Sequence, residues 1–191
     1  MEIQRGSIIL KQITLSDLEM IRQWRNSTSV NQYMEYRDYI TPEMQQQWFR
    51  KINNEQHLYF LITVNQKAIG LIYGADINWR KNMVGNAGIF IAREEDRENS
   101  YALEASVLIN DWAFSIGIET IFIKILRNNK RAILYNKAMG YQLLAAQDHL
   151  YNQHYYLHRD NWYKCRKKIE PFLPNKTPLF SVRGNSQTKQ H

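Results

Sequence analysis

Cysteine is nearly absent from this 191-residue sequence. The single thiol, Cys165, cannot close an internal disulfide and cannot anchor a cysteine-based zinc site. The chain therefore suits a reducing compartment, and a cytoplasmic location is the simplest expectation. No apolar run approaches the ~18 residues that a membrane-spanning helix needs, so membrane insertion is not expected. Residues Met1 to Arg5 lack the basic start and apolar stretch of a secretory signal. Acidic residues are also scarce: 18 Asp and Glu face 25 Lys and Arg, for a formal net charge of +7. That balance favours anionic partners such as nucleotides and phosphates over polycations. Nucleic acid is not the expected partner, because no zinc-finger spacing, basic zipper or RNP-like aromatic strand accompanies the charge. There is no internal repeat.

What remains is an ordinary globular composition, 44% hydrophobic and 23% charged, long enough for one domain with a sizeable core. A strand is predicted over 7–13, then a helix capped by Thr14 or Ser16 that carries Leu18, Ile21 and Trp24 to about residue 25. Asn26 to Ser29 breaks it. Thr41-Pro42-Glu43 opens a second helix, which runs to about Ile52 with Trp48 and Phe49 on its apolar face. Strands 58–64 and 68–73 form a hairpin about Asn65-Gln66. Residues 82–85 read as a turn and 87–91 as a short, wholly apolar central strand. A polar loop to Asn99 leads into a long helix, 101–116, ended by Gly117. Strand 120–126, helix 131–139 and strands 141–144 and 155–158 follow. The order β-α-α-β-β-β-α-β-α-β-β predicts a mixed α/β fold with helices on both faces of one sheet. Residues 1–170 form the expected domain. From Pro171 the pattern fades, and 171–191 reads as a loosely held polar and basic tail.

Three segments carry chemistry. The loop Arg97-Glu98-Asn99-Ser100-Tyr101-Ala102 enters the long helix after an apolar strand. Free amides and the helix dipole make such a junction an anion site, and Ser100 and Ala102 are small enough to let phosphate approach. The second segment is strand 120–126 with Asn128-Asn129. The third is the amphipathic helix from Lys130 to Met139, with Gly140-Tyr141 behind it.

Together these segments resemble the GNAT acetyltransferase superfamily. Arg97-x-x-Ser100-x-Ala102 is similar to its phosphate loop Q/R-x-x-G-x-G/A, with Ser in place of the first Gly. Tyr101-Ala102-Leu103-Glu104-Ala105 resembles the helix start of ribosomal-protein acetyltransferase relatives. Asn129-x-x-Ala132-Ile133 with Gly140-Tyr141 is similar to the late N-x-x-A/S-I…G-F/Y element. In the first half, Trp24-Arg25-Asn26, Met34, Ile40-Thr41-Pro42-Glu43, Trp48-Phe49 and Tyr59 to Tyr73 resemble the branch that acetylates UDP-4-amino-4,6-dideoxy sugars. The resemblance covers about residues 7 to 160.

The resemblance implies a mostly antiparallel central sheet that splays between its fourth and fifth strands to admit acetyl-coenzyme A, with no metal. The pantetheine arm pairs with the backbone of Gly88, Ile89, Phe90 and Ile91. The pyrophosphate sits on the amides of Glu98, Asn99, Ser100, Tyr101 and Ala102 with Arg97 adding charge, and Asn129 bonds the pantetheine or cysteamine end. The acceptor amine attacks the thioester directly, so no enzyme nucleophile is required. Where many relatives carry a Tyr as general acid for the thiolate, this chain has Asn136. Either Tyr135 is presented by a small helix shift, or Asn136 or water serves, the second being preferred. Gln45 replaces a His of the sugar-nucleotide branch but can still contact a base. For the general base, Asp76, His154 and His158 are open candidates, each more readily read as a turn or surface residue. Arg25 is the candidate for a substrate diphosphate or else a surface charge, since Arg reads phosphate bidentately. Trp24 and Trp48 read as core or site wall.

The expected acceptor is therefore a small-molecule amine, most specifically a nucleotide-linked amino sugar. A homodimer stays an open option. Two other readings stand beside it: a polyamine or protein N-terminal acetyltransferase, and a family member that binds coenzyme A without catalysis.

Overall fold

The computed structural model describes residues 1–174 and 180–184. Its strands are β1 (Glu2–Arg5), β2 (Ile8–Gln12), β3 (Leu58–Val64), β4 (Lys67–Asn78), β5 (Met83–Ile91), β6 (Thr120–Leu126), β7 (Gln142–Leu143), β8 (Asn152–His158) and β9 (Ser181–Arg183). Its helices are α1 (Leu18–Asn26), the single turn α2 (Thr28–Asn31), α3 (Pro42–Ile52), α4 (Tyr101–Ser115), α5 (Lys130–Ala138) and α6 (Arg159–Ile169). Among the described residues the strands form one sheet in the order β7-β8-β6-β5-β4-β3-β2-β1-β9. Every recorded neighbour pair is antiparallel except β5 with β6.

Period-two alternation gives this sheet two apolar faces. On one, Leu61 of β3 and Leu71 of β4 meet Leu18 and Ile21 of α1 and Phe49 and Ile52 of α3. On the other, Phe60, Ile62, Ile72, Ile121 and Ile123 meet Ala105, Leu108 and Trp112 of α4. The α4 helix buries residues around most of its circumference, as a central helix must. Helices therefore cover both faces, as expected. Local signals set the helix ends. Thr41 accepts a hydrogen bond from the Met44 amide ahead of Pro42, and Asn129 Oδ1 accepts from the Ala132 amide at 3.1 Å to start α5. Gly140, at φ +95°, stops α5, and a Cβ there would lie 2.9 Å from Cys165 Sγ. The lone cysteine is thus packing beneath that turn.

The structure departs from the sequence reading in several places. The sheet begins with a hairpin, β1–β2, turning at Gly6 with φ +56°. β4 continues five residues past Tyr73, through a kink at Asp76 with φ +54°. β5 starts at Met83, because Gly85 belongs to a strand rather than a turn. α6 has no counterpart in the reading: in its charged sequence Trp162 and Ile169 are the buried residues. Of the residues read as a loose tail, Ser181–Arg183 add an edge strand to β1, while 175–179 and 185–191 lie outside the described residues.

Candidate active site

The site begins where two parallel strands part. β5 and β6 pair at Met83–Thr120, Val84–Ile121 and Ala87–Ile123, with an extra residue on β5 before Ala87. Beyond that point Gly88 to Ile91 keep partners only on β4, and Lys124 to Leu126 only on β8. Two strand edges, each with unpaired backbone groups, thus face one another across a gap. These are the strands counted fourth and fifth in the sequence reading, so the predicted splay is present. A mainly apolar cavity opens there, and Gly88, Ile89, Tyr135 and Asn136 all line it.

At the far end of β5 the chain turns through 92–100 into α4. The first recorded bond of this helix runs from the Glu104 amide to the Ser100 carbonyl at 2.9 Å. The amides of Tyr101, Ala102 and Leu103 precede it and have no acceptor within the helix, so their N–H groups are left open at its N-terminus. The Arg97 side chain is turned inward. Its Nε donates to the Ile91 carbonyl at 3.1 Å and its Nη2 to the Ser29 carbonyl at 2.8 Å. Arg97 therefore fixes the loop between β5 and α2. An exposed cation reaches this loop from α5: Arg131, whose Nη2 donates to the Arg97 carbonyl at 3.2 Å. Ser100 also bonds inward, donating to Glu104 at 2.8 Å. Glu98 and Asn99 are exposed on the loop.

The α5 residues are mostly engaged with structure. Asn129 caps the helix through Oδ1, which leaves its amide nitrogen for a ligand. Asn136 Nδ2 donates to the Ala132 carbonyl at 2.9 Å. Tyr135 Oη lies 3.0 Å from the Ala102 carbonyl, to which it donates, and 2.8 Å from Ser106 Oγ. Burial pushes the Tyr135 phenol up to about 12, with Ser106 pulling the other way. This hydroxyl clamps α5 to α4 and keeps its proton at neutral pH.

On the α1/α3 side of the splay lies a wall of aromatic rings. Tyr59 and Tyr73 stack with centroids 4.8 Å apart, Trp48 meets Tyr59 edge-on at 5.0 Å, and Trp24 meets Phe90 edge-on at 6.3 Å. Arg25 is set among them. Its Nε is buried with no hydrogen-bond partner, and no carboxylate stands within ion-pair distance among the described residues. Burial lowers its pKa, while the Tyr73 and Tyr59 hydroxyls act in the opposite direction. Asp76 projects at the kink of β4, exposed, with His57 Nε2 3.6 Å from its Oδ1. His57 was not singled out by sequence; it shares no motif with Asp76 and meets it only through the β3–β4 pairing. Gln45 is buried between α1 and α3 in a groove with Leu18, Glu19 and Arg50, none of which lines the splay cavity. His154 sits on β8 opposite Lys124. His158 accepts from the Asp160 amide at 3.3 Å and so caps α6. Among the described residues no group of three or more His, Cys, Asp or Glu side chains is placed to hold a metal.

This geometry has close parallels among solved structures. FdhC, described as a nucleotide-linked sugar GNAT, superposes with a TM-score of 0.74 at 20% identity, over 91% of this chain and 98% of that one. A chimera of the Vibrio cholerae spermidine N-acetyltransferase SpeG with hSSAT gives 0.71 at 18% identity, over 83% and 99%. The Vibrio cholerae enzyme in complex with CoA and spermine gives 0.69 at 15%, over 83% and 99%. At such identities the likeness is one of fold. No curated protein sequence matches the chain significantly. The profile of the acetyltransferase (GNAT) domain family, however, matches residues 7–142. The splayed sheet and the amide-lined helix start lie in that stretch, so the chain belongs to the GNAT acetyltransferase family and is an acyltransferase with acetyl-coenzyme A as co-substrate.

Proposed function

We propose that the enzyme acetylates the 4-amino group of a nucleotide-linked amino-deoxy sugar. The observation that carries this is Arg25, a half-buried guanidinium with neither hydrogen bond nor ion pair among the described residues. A buried cation left without a counter-charge costs stability and is retained where an anion arrives to meet it. A nucleotide diphosphate supplies two such charges, and a guanidinium reads phosphate oxygens in a fork. The adjoining rings of Trp48, Tyr59 and Tyr73 suit a flat base or the face of a sugar. The overall charge of +7 draws the same class of ligand.

In this reading acetyl-coenzyme A supplies an activated acyl carbonyl. The amides of Tyr101 to Leu103 hold its pyrophosphate, with Glu98 to Ser100 around them and Arg97 fixing the loop. The outward backbone of Gly88 to Ile91 pairs with its pantetheine arm, and the Asn129 amide bonds its inner end. Asp76, relayed by His57, takes the proton from the acceptor ammonium. The departing thiolate, near a pKa of about 8.5, takes its proton from water at the cavity mouth. Gln45 lies outside this arrangement.

A polyamine acceptor is the second reading. The carboxylates of Glu35 and Asp76 act on Tyr73 and would welcome a cation. Purified enzyme, acetyl-coenzyme A and a panel of UDP- and dTDP-amino sugars, spermidine and peptides decide between them by release of free thiol. Turnover of an amino sugar is expected. Turnover of spermidine and of no amino sugar overturns the assignment.

A further inference from the structure

We propose that Tyr73 is a catalytic residue, whose hydroxyl lies over the backbone of Gly88 at the mouth of the splay and donates a hydrogen bond to the thioester oxygen as charge builds there. This rests on the acetyl-transfer reading of the same cleft, but not on the identity of the acceptor.

The register of β4 and β5 sets Tyr73 directly opposite Gly88. A Cβ at residue 88 would lie 2.6 Å from Tyr73 Oη and 2.7 Å from its Cζ. The ring therefore leans across the glycine into space that any other residue would fill. Gly88 is also the residue that follows the last β5–β6 pair, Ala87–Ile123. The phenol oxygen thus reaches the gap itself, and Tyr73 lines the same cavity as Tyr135 and Asn136.

Two other side chains at this cavity are engaged with backbone: Tyr135 bonds the Ala102 carbonyl and Asn136 bonds the Ala132 carbonyl. Tyr73 Oη has no recorded hydrogen bond among the described residues. Its ring is held by the Tyr59 stack, which Trp48 buttresses. A donor so fixed needs no reorganisation when negative charge appears, which is the property an oxyanion site requires. Arg25 from α1, Glu35 from the α2–α3 connection, Asp76 from β4 and Tyr59 from β3 are the charged and titratable groups around it. Burial raises the Tyr73 phenol above its usual value, Arg25 lowers it, and Glu35 and Asp76 raise it. It remains a hydrogen-bond donor rather than an acid that ionises.

The neutral acceptor nitrogen bonds to the carbonyl carbon, and the carbonyl electron pair moves onto oxygen, where the Tyr73 O–H meets it. The pair returns as the carbon–sulfur bond breaks. Sulfur leaves with the bonding electrons, and the proton that the nitrogen sheds passes through water to the sulfur, so no hydroxide is left and Asp76 carries only the proton of the original ammonium.

Tyr73→Phe keeps the ring and its stack and removes the donor. The expected loss in kcat is about 100- to 1,000-fold, measured with whichever panel amine turns over, with the Kd for acetyl-coenzyme A within about threefold of wild type. Gly88→Ala, which drives a methyl group into the ring, lowers kcat likewise. An acceptor-free readout separates this inference from the choice of amine. With carbonyl-labelled acetyl-coenzyme A bound, the thioester stretch is expected at lower wavenumber in wild type than in the Tyr73→Phe protein. A Phe variant with wild-type kcat, or the same carbonyl band in both proteins, overturns the role of Tyr73. Failure of every amino sugar overturns only the acceptor assignment, since the band comparison uses none.

Discussion

A single cation carries the acceptor assignment, and it is testable by itself. Arg25 sits on α1 with its Nε buried and unbonded among the described residues. A charge-assisted hydrogen bond is worth about 1.5–3 kcal/mol, or roughly a 10- to 150-fold change in affinity. Arg25→Ala is expected to raise KM for the amino-sugar nucleotide by that factor, with kcat and the Kd for acetyl-coenzyme A little changed. That pattern in steady-state kinetics marks binding shared by ground and transition states. Tyr135 supports a second prediction, about pH. Its phenol is pushed up to about 12 by burial, against about 10 in an unfolded chain. A raised folded-state value means that the native protein favours the protonated form. The corresponding stability is complete below pH 10 and is lost as pH climbs from 10 to about 12. Absorbance titration near 295 nm, run against wild type, should show this phenol missing from the Tyr135→Phe protein's high-pH step. The same variant should soften the alkaline loss of stability.

Between elements, one carboxylate joins the two ends of the chain to its central helix. Asp111 of α4 accepts from Arg5 Nη2 of β1 at 2.7 Å, from Trp162 Nε1 of α6 at 2.9 Å and from Arg166 Nε at 3.1 Å. Removing one partner of a buried ion pair strands the others. Asp111→Ala is therefore expected to cost about 3–5 kcal/mol in denaturant unfolding. Neither end of that network is visible from sequence. The elements that sequence does announce are those with local grammar. Thr41-Pro42 caps α3, Asn65-Gln66 turns the β3–β4 hairpin, and Gly117 and Gly140 stop α4 and α5. β1 has only Ile3 and the aliphatic part of Arg5 to bury, and α6 only Trp162 and Ile169, so their periodicity drowns in charge. The site divides along the same line. The open amides at the start of α4 are legible because they follow from a loop meeting a helix. The Tyr73–Gly88 meeting depends on strand register, which no local motif encodes. Arg97 reads as a phosphate ligand by position, yet it turns inward because the Ile91 and Ser29 carbonyls need donors.

The whole molecule is a continuous sheet with one deliberate interruption, and that predicts where a ligand will be felt. From β9 through β1 to β5 each strand is laddered to its neighbours, and β6, β8 and β7 continue the sheet beyond the gap. Among the described residues, the outer backbone of Gly88 to Ile91, facing Lys124 to Leu126, runs past the last β5–β6 pair without a strand partner on that side. Buried backbone groups are almost always paired, so amides in such a gap exchange with solvent until something bonds them. Coenzyme A filling the splay and capping α4 should therefore slow hydrogen exchange in peptides covering 88–103. Strands β1 and β9, separated from the gap by β2, β3 and β4, should stay unchanged. Exchange measured by mass spectrometry, with and without coenzyme A, tests the point. Equal slowing across the sheet would mean that the ligand stabilises the fold globally. Slowing confined to 88–103 would mean that it completes the strand pairing left open beyond Ala87.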